Sequence, residues 1–170
     1  YLESLASVKI RQATIVVGYK QDMIRAAVGS HCHGVDLSYL VNEEFHRGSI
    51  SSLWIARTAL SDDVVIMDAD VLFHREILRR LVTSPHENCL LMDDTVKQTG
   101  EECMVVVQGD RVVALSKKMP ERYDIAGEGV GFLRVRRADI AQVIGSLKGY
   151  IDQDRWDMEY EDGLLQYFRD

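Results

Sequence analysis

Two aspartates, Asp68 and Asp70, are the residues of this sequence whose type and spacing could most directly do chemistry. They follow four apolar residues, 64–67, in a stretch that continues to Phe73. Because side chains alternate across a strand, both carboxylates point to the same side if the strand continues that far. Open α/β sheets bind ligands at the carboxyl ends of parallel strands. Carboxylate oxygens there suit Mg²⁺, which binds through one or two carboxylates together with substrate phosphates.

The same stretch also fits a plainer interpretation, a solvated turn with an aspartate near a helix N-terminus. Residues 64–67 are preceded by the polar residues 61–63, and this pattern predicts a strand that is buried on both faces. A strand of that kind positions its carboxylates only if the chain also supplies neighbouring strands and covering helices.

The composition limits what the protein can be. The chain has 170 residues, which fits one domain with a substantial core. With 46% hydrophobic and 28% charged residues, it is predicted to be globular rather than disordered or coiled coil. A net charge of −7 argues against non-specific binding to the nucleic acid backbone. Nucleotides remain possible ligands, because a bound magnesium ion brings its own positive charge.

The three cysteines, Cys32, Cys89 and Cys103, are too few and too widely spaced for a disulfide framework or a zinc motif. This usage predicts a reduced, cytoplasmic setting. We expect no membrane span and no signal peptide, since no apolar run approaches about 20 residues. Both ends resemble the interiors of longer elements, so we expect residues 1–170 to be a single domain truncated at both ends. The oligomeric state is left open.

Hydrophobic periodicity predicts strands that alternate with helices first and hairpins later. We therefore expect an α/β fold, with a mixed, mostly parallel central sheet and helices on both faces. The predicted strands are 13–17, 35–42, 64–73, 89–92, 104–107, 111–115 and 129–135. The predicted helices are 2–8, 21–28, 49–60, 74–82, 138–147 and one that begins at 159 or 160.

Several other stretches could take part in chemistry. Lys117, just after the predicted hairpin, could hold a phosphate or could simply be solvated. Glycines on both sides of Glu128 could present that carboxylate at the mouth of the sheet, or could serve a tight turn. The glycine and serines at 48–52 could form an anion or base-edge site at a helix N-terminus, or could only cap the helix.

Two further clusters have weaker signals. His31-Cys32-His33 lacks a distant partner with normal zinc spacing, so we expect a loop there. The acidic and aromatic residues between Asp152 and Tyr167 could hold a cationic head group through cation–π and charge contacts. A solvated helix face explains that second cluster equally well.

Taken together, these stretches resemble the nucleotidyltransferases that join a nucleoside triphosphate to a phosphate or phosphonate acceptor. The likeness is greatest to the phosphocholine cytidylyltransferase-like branch within the sugar-phosphate nucleotidyltransferases. The matching stretches occur in the same order along the chain: Ile15-Val16-Val17-Gly18-Tyr19-Lys20, Asn42 with Gly48-Ser49-Ile50-Ser51-Ser52-Leu53, Met67 to Phe73, Leu115-Ser116-Lys117, Gly127 to Phe132, and Tyr160-Glu161-Asp162 with Leu164.

The resemblance implies a Rossmann-like, nucleotide-diphospho-sugar transferase-like fold and a set of roles. It implies Mg²⁺ as the cofactor, held by Asp70 with support from Asp68, and phosphate binding by Lys117. Asp70 and Lys117 are thereby the implied catalytic residues. The implied nucleotide-binding residues are Asn42, Gly48, Ser49, Ser52 and Asp68. The implied acceptor-binding residues are Glu128, Tyr160, Glu161 and Asp162.

The implied reaction is transfer of a nucleoside monophosphate, CMP from CTP, to a small phosphorylated or phosphonate acceptor with release of pyrophosphate. Two features of the family are missing: the glycine-rich loop before the first helix and the second metal aspartate after the last. Three alternatives therefore stay open. They are a sugar-1-phosphate nucleotidyltransferase that uses UTP or dTTP, a nucleotide-binding module without activity, and, more distantly, a glycosyltransferase with an Asp-x-Asp motif.

Overall fold

The structure, a computed structural model, describes residues 1–96, 103–116 and 120–169. In the first half, helices and strands alternate: α1 (Leu2–Ser7), β1 (Gln12–Val17), α2 (Gln21–Val28), β2 (His31–Cys32), β3 (Val35–Val41), α3 (Ser49–Ala56), β4 (Val64–Met67), α4 (Arg75–Val82) and β5 (Cys89–Asp93). The second half contains β6 (Met104–Gln108), β7 (Arg111–Ser116), β8 (Ile125–Val135), α5 (Ile140–Ile151) and α6 (Tyr160–Arg169). The predicted mixed α/β class is confirmed.

The strands form two hydrogen-bonded sheets. In the smaller sheet, β1 pairs in parallel with β3, and β2 pairs with the other edge of β3. The larger sheet is built around β8, which has β5 along one edge and both β4 and β6 along the other. A hairpin joins β6 to β7. All pairings in the larger sheet are antiparallel, so the described strands have less parallel pairing than the sequence predicted.

Strand β4 lies between two hydrophobic clusters. Val64 and Ile66 pack against the cluster that includes residues of α3, α5 and α6. Val65 and Met67 pack against the cluster that includes residues of α1, α4 and β3. Because successive side chains of a strand point to opposite faces, this division places helices on both faces of β4. The strand has apolar contacts on both faces, but its four residues are half-buried and not fully buried as predicted.

The prediction that this strand continues to Phe73 is wrong, as is the prediction that it lies in a parallel arrangement. β4 ends at Met67 and runs antiparallel to β8. The backbone N–H of Asp68 donates to the carbonyl of Gly131 at 2.9 Å, and the chain then leaves the sheet. The alternation argument therefore does not place Asp68 and Asp70 on one face, because both residues lie in the turn that follows the strand.

Other boundaries differ less from the prediction. β8 begins at Ile125 rather than at 129, so Glu128 lies inside the strand and not in a turn before it. His31 and Cys32 form a short strand instead of a loop. The hairpin is confirmed, with Gly109 at φ +62° in its turn. Within the described residues, no helix has both the length and the apolar character needed to cross a membrane.

Candidate functional site

The carboxylate of Asp68 is seated against a glycine of the central strand. Gly131 adopts φ +75°, and a Cβ atom on it would lie 2.0 Å from Asp68 Oδ2. Glycine is needed here for two reasons, because this conformation disfavours other residues and because any side chain would occupy the space of the carboxylate. Gly131 therefore determines where the Asp68 side chain can lie.

The start of helix α6 brings two more polar groups to Asp68. The hydroxyl of Tyr160 lies beside the carboxyl groups of Asp68 and Glu161, and both groups act on its pKa. Tyr160 is buried, with 7% of its surface exposed, and Glu161 is half-buried. Residues almost one hundred positions apart in the sequence thus form one polar cluster.

Burial controls the electrostatics of this cluster. Burial, and after it the charge of Asp70, raises the pKa of Asp68 to about 6. Burial also raises the pKa of Glu161 to about 7, and the neighbouring Asp68 adds to this effect. The pKa of Tyr160 is raised above its usual range by burial and by the charges of Glu161 and Asp68, so its hydroxyl stays protonated at neutral pH.

No lysine or arginine is among the described groups that shift the pKa of Asp68 or Glu161. The cluster therefore concentrates negative charge in a partly buried place without a cation from the described part of the chain. Such an arrangement favours binding of a cation or retention of protons, and strongly perturbed carboxyl groups of this kind are frequent at functional sites.

A small cavity adjoins the cluster. Tyr160 and Glu161 line it together with mostly apolar residues, among them Phe132 and Leu164. Its volume is about 50 Å³, which holds a few water molecules at most and is far smaller than a typical ligand pocket. The cavity as it stands does not by itself hold a substrate.

Four of the five predicted nucleotide-binding residues, all except Asp68, lie together at the junction between β3 and α3. Asn42 is 1% exposed, and its amide nitrogen donates to Ser51 Oγ at 2.9 Å and to Ser52 Oγ at 3.0 Å. Its amide oxygen accepts from the backbone N–H of Glu44 at 2.9 Å. The side chain of Asn42 is thus engaged within the protein, and it ties the end of β3 to the first turn of α3.

Gly48 and Ser49 connect this junction to α6. A Cβ atom on Gly48 would lie 2.0 Å from the carbonyl oxygen of Met158, so glycine permits the two backbones to meet. Ser49 Oγ donates to Glu159 at 2.5 Å and accepts from the backbone N–H of Tyr160 at 2.8 Å. Since Tyr160 contacts Asp68, the 42–52 region and the Asp68 cluster lie at the same end of the fold.

The remaining predicted site residues lie outside the Asp68–Tyr160–Glu161 cluster and the β3–α3 junction. Asp70 is exposed in the turn after Asp68, and Asp162 is half-buried in the first turn of α6. Glu128 lies three residues before Gly131 on β8, about 10 Å along the strand. Lys117 lies outside the described residues. In the described ranges, no group of three or more His, Cys, Asp or Glu side chains is arranged to hold a metal ion.

Two contributors to the site were not predicted from the sequence. The hydroxyl of Tyr1 lies 2.6 Å from the carbonyl oxygen of Asp68 and 2.8 Å from that of Val71. Gly131 belongs to a glycine-rich stretch that signals close approach, but the sequence does not say that Asp68 is the approaching group. Nothing in the sequence marks Tyr1, which lies in an ordinary amphipathic pattern.

Comparison of the sequence with known proteins gives one informative relative. No protein-family model matches the chain. The CMP-5'-(3-aminopropyl)phosphonate synthase of Streptomyces rubellomurinus is 29% identical over 90 residues, which are 52% of this chain and 14% of that protein. The chain therefore spans only a small part of this relative's length.

Solved structures of nucleotidyltransferases share the fold. The inositol-1-phosphate CTP transferase from T. maritima superposes with a TM-score of 0.72 at 16% identity, over 97% of this chain and 65% of that chain. A Bacillus anthracis structure assigned to the glucose-1-phosphate thymidylyltransferases also gives 0.72 at 16% identity, over 99% and 68% of the two chains.

The CTP:phosphocholine cytidylyltransferase from Streptococcus pneumoniae gives a TM-score of 0.63 at 16% identity, over 99% of this chain and 69% of that chain. The chain thus corresponds to about two thirds of each of these enzymes. It has the nucleotidyltransferase fold that these three structures represent.

Proposed function

We propose that this chain is part of a nucleotidyltransferase that transfers CMP from CTP to a small phosphate or phosphonate acceptor and releases pyrophosphate. The fold supports a nucleotidyltransferase, and two of the three superposed structures are CTP-dependent by name. The match to a CMP-phosphonate synthase supports CMP as the transferred group and a phosphonate as the acceptor.

The observation that carries the proposal is the carboxylate cluster at the end of β4. Asp68 is held against Gly131 with Asp70 nearby, and the repulsion between them contributes to the raised pKa of Asp68. A divalent cation would remove that repulsion. Two carboxylates also match the donor set of Mg²⁺, which completes its coordination with water and substrate phosphates.

Asp68 and Asp70 would hold Mg²⁺ together with the triphosphate, and the ion would neutralise phosphate charge there. An oxygen of the acceptor attacks the α-phosphorus, and the new P–O bond forms as the bond from the α-phosphorus to the bridging oxygen breaks. The electron pair of that broken bond leaves with pyrophosphate. Because the acceptor is already an anionic nucleophile, the residues act by positioning and charge neutralisation.

Each remaining residue has a proposed part in this reaction. Lys117 binds phosphate. The wall that faces the base and ribose is formed by the junction of Asn42, Gly48, Ser49 and Ser52. The polar side chains of this junction are bonded within the protein, so they act by giving the wall its shape. The acceptor lies toward Glu128 and the start of α6, where Tyr160, Glu161 and Asp162 favour a head group that carries positive charge.

Substitution of Asp70 in the natural full-length protein tests the proposal. We expect Asp70→Asn to lower CTP-dependent release of pyrophosphate by more than about 100-fold, roughly 2.7 kcal/mol of transition-state stabilisation. Asp110→Asn is the matched control, because Asp110 is an exposed aspartate in the β6–β7 turn and should leave turnover unchanged. If Asp70→Asn keeps turnover within about tenfold of the wild type, the proposed role of Asp70 is wrong.

A second candidate function is a nucleotide-binding module without turnover. Such a module requires the nucleotidyltransferase fold but no turnover at the carboxylate cluster. A panel of CTP, UTP and dTTP with phosphonate, phosphocholine and sugar-1-phosphate acceptors separates the possibilities. Nucleotide binding without pyrophosphate release in every combination would support the module, and turnover with UTP or dTTP alone would indicate a sugar-1-phosphate enzyme.

A further inference from the structure

The turn that carries both aspartates is bridged by one hydroxyl group. Tyr1 Oη lies 2.6 Å from the carbonyl oxygen of Asp68 and 2.8 Å from the carbonyl oxygen of Val71. The same oxygen accepts a hydrogen bond from the backbone N–H of Val71 at 3.1 Å. The hydroxyl therefore joins the first and last residues of the Asp68–Val71 turn.

The ring of Tyr1 is itself held by aromatic packing. It meets Phe73 edge-on, with ring centroids 4.9 Å apart and an interplanar angle of 83°. Phe73 in turn packs edge-on against Phe132 at 4.8 Å and 90°. Phe132 is a buried residue of β8 and lies directly after Gly131. The ring of Tyr1 is thus linked through Phe73 to the central strand β8.

Apart from Asp68, whose carboxylate is seated against Gly131, the turn has little other support. Its residues lie between β4 and α4 and belong to neither, and Ala69 and Asp70 are exposed. The next residue, Leu72, is 100% exposed. Besides the contacts of Tyr1, the described hydrogen bond that anchors this turn is the one from the N–H of Asp68 to Gly131. A segment with so few packing contacts keeps its shape only if its backbone is tied down.

We propose that Tyr1 is a positioning residue that holds the carboxylates of Asp68 and Asp70 at the separation needed to share a divalent cation with the nucleotide. This inference rests on the proposed function. Tyr1 would not touch the ion or the substrate, and its hydroxyl would act through the backbone at both ends of the turn. A tyrosine hydroxyl keeps its proton at neutral pH and can therefore donate to a carbonyl of the turn.

The test is Tyr1→Phe, which keeps the ring and removes only the hydroxyl. Mn²⁺ serves as the probe, and its binding to the natural protein is measured by electron paramagnetic resonance with and without CTP. We expect Mn²⁺ to bind about three- to tenfold more weakly to Tyr1→Phe, the range that corresponds to loss of one hydrogen bond. Exchange of the Val71 amide hydrogen should become faster, while the melting temperature changes little.

Tyr123→Phe is the matched control, because Tyr123 is an exposed tyrosine on a different part of the chain. It should alter neither Mn²⁺ binding nor amide exchange at Val71. If the wild type and Tyr1→Phe bind Mn²⁺ equally, the inference is wrong while the proposed function stands. If the wild type binds no Mn²⁺ even with CTP, the proposed function and this inference both fail. A large fall in the melting temperature of Tyr1→Phe would show that Tyr1 serves folding, and would also overturn the inference.

Discussion

Two aspartates held close to β8, Asp68 and Asp139, show opposite electrostatic behaviour. Asp139 is buried and accepts a hydrogen bond from Arg136 Nε at 2.7 Å as well as one from the amide of Asn88. The contact with Arg136 lowers the pKa of Asp139. Asp68 faces other acidic groups instead, and burial raises its pKa to about 6. The two carboxylates differ chiefly in whether the described residues around them supply a cation.

This difference separates a structural carboxylate from a candidate functional one. The Arg136–Asp139–Asn88 network joins the end of β8 to the segment before β5, so its charges are compensated within the protein. At Asp68 the charged form is disfavoured by the described surroundings. A protein retains such an arrangement at a cost to stability, which is expected where a ligand supplies the missing charge.

Among the substitutions that test the comparison of Asp68 with Asp139, Gly131→Ala is expected to have the largest effect. The new Cβ would lie 2.0 Å from Asp68 Oδ2 on a backbone at φ +75°, so both strain and displacement of the carboxylate follow. We expect a loss of about 3 kcal/mol in the free energy of unfolding, measured with urea, together with loss of Mn²⁺ binding.

Gly109→Ala is the control for backbone strain alone. Gly109 also has positive φ, +62°, but a Cβ there would meet nothing within 4 Å. We expect a loss of about 1 kcal/mol with Mn²⁺ binding intact. Equal effects of the two substitutions would mean that the contact between Gly131 and Asp68 does not determine the site.

A smaller effect is expected when each carboxylate is neutralised separately. Asp139→Asn removes a charge-assisted hydrogen bond and should lower stability by about 1 kcal/mol, or about 2–4 °C in melting temperature. Asp68→Asn removes a disfavoured charge. At pH 7 it should be neutral or stabilising by up to about 1 kcal/mol, after allowance for the partial exposure of Asp68. If Asp68→Asn is as destabilising as Asp139→Asn, the two carboxylates do not have opposite electrostatic environments.

The smallest effect is a difference in the sign of the pH dependence. The pKa of Asp68 is raised from 3.8 to about 6 by folding, so the native state binds more protons than the unfolded state within that interval. The stabilisation that comes from this tighter proton binding is complete below about pH 4. It is lost as the pH rises through about 6. Asp139, whose pKa is lowered, contributes above its ordinary pKa and loses that contribution as the pH falls.

Melting temperatures of the wild type, Asp68→Asn and Asp139→Asn across about pH 3 to 8 test this expectation. With rising pH, the wild type should lose stability relative to Asp68→Asn. Over the same range it should gain stability relative to Asp139→Asn. Slopes of the same sign would show that the two carboxylates are not in opposite environments.

Much of the fold could be predicted because local sequence patterns record which side of an element is buried. The uninterrupted apolar run from Val64 to Met67 correctly indicated apolar contact on both faces. The turn between β6 and β7 was marked by Gly109 and its flanking β-branched residues. The length of β4 was overestimated, because apolar residues beyond Asp70 suggested continuity that the hydrogen bond from Asp68 to Gly131 interrupts.

The candidate site was predicted only in part. Asp68 and Asp70 are close in sequence, so a short motif was enough to mark them. The sequence could not show that the amide of Asn42 is engaged by Ser51 and Ser52, because a buried asparagine and a ligand-binding asparagine look alike in one sequence. Lys117 remains a prediction, since it lies outside the described residues.

The sequence by itself determined the order of the elements, the apolar contacts on both faces of β4 and the presence of carboxylates where that strand ends. Tertiary structure alone decided that Tyr160 and Glu161 reach Asp68, that Gly131 makes room for its side chain, and that the Tyr1 hydroxyl bridges the turn. The physical reason is that hydrophobic periodicity reflects burial along one element. Electrostatic environment and steric room depend instead on which distant segments pack together.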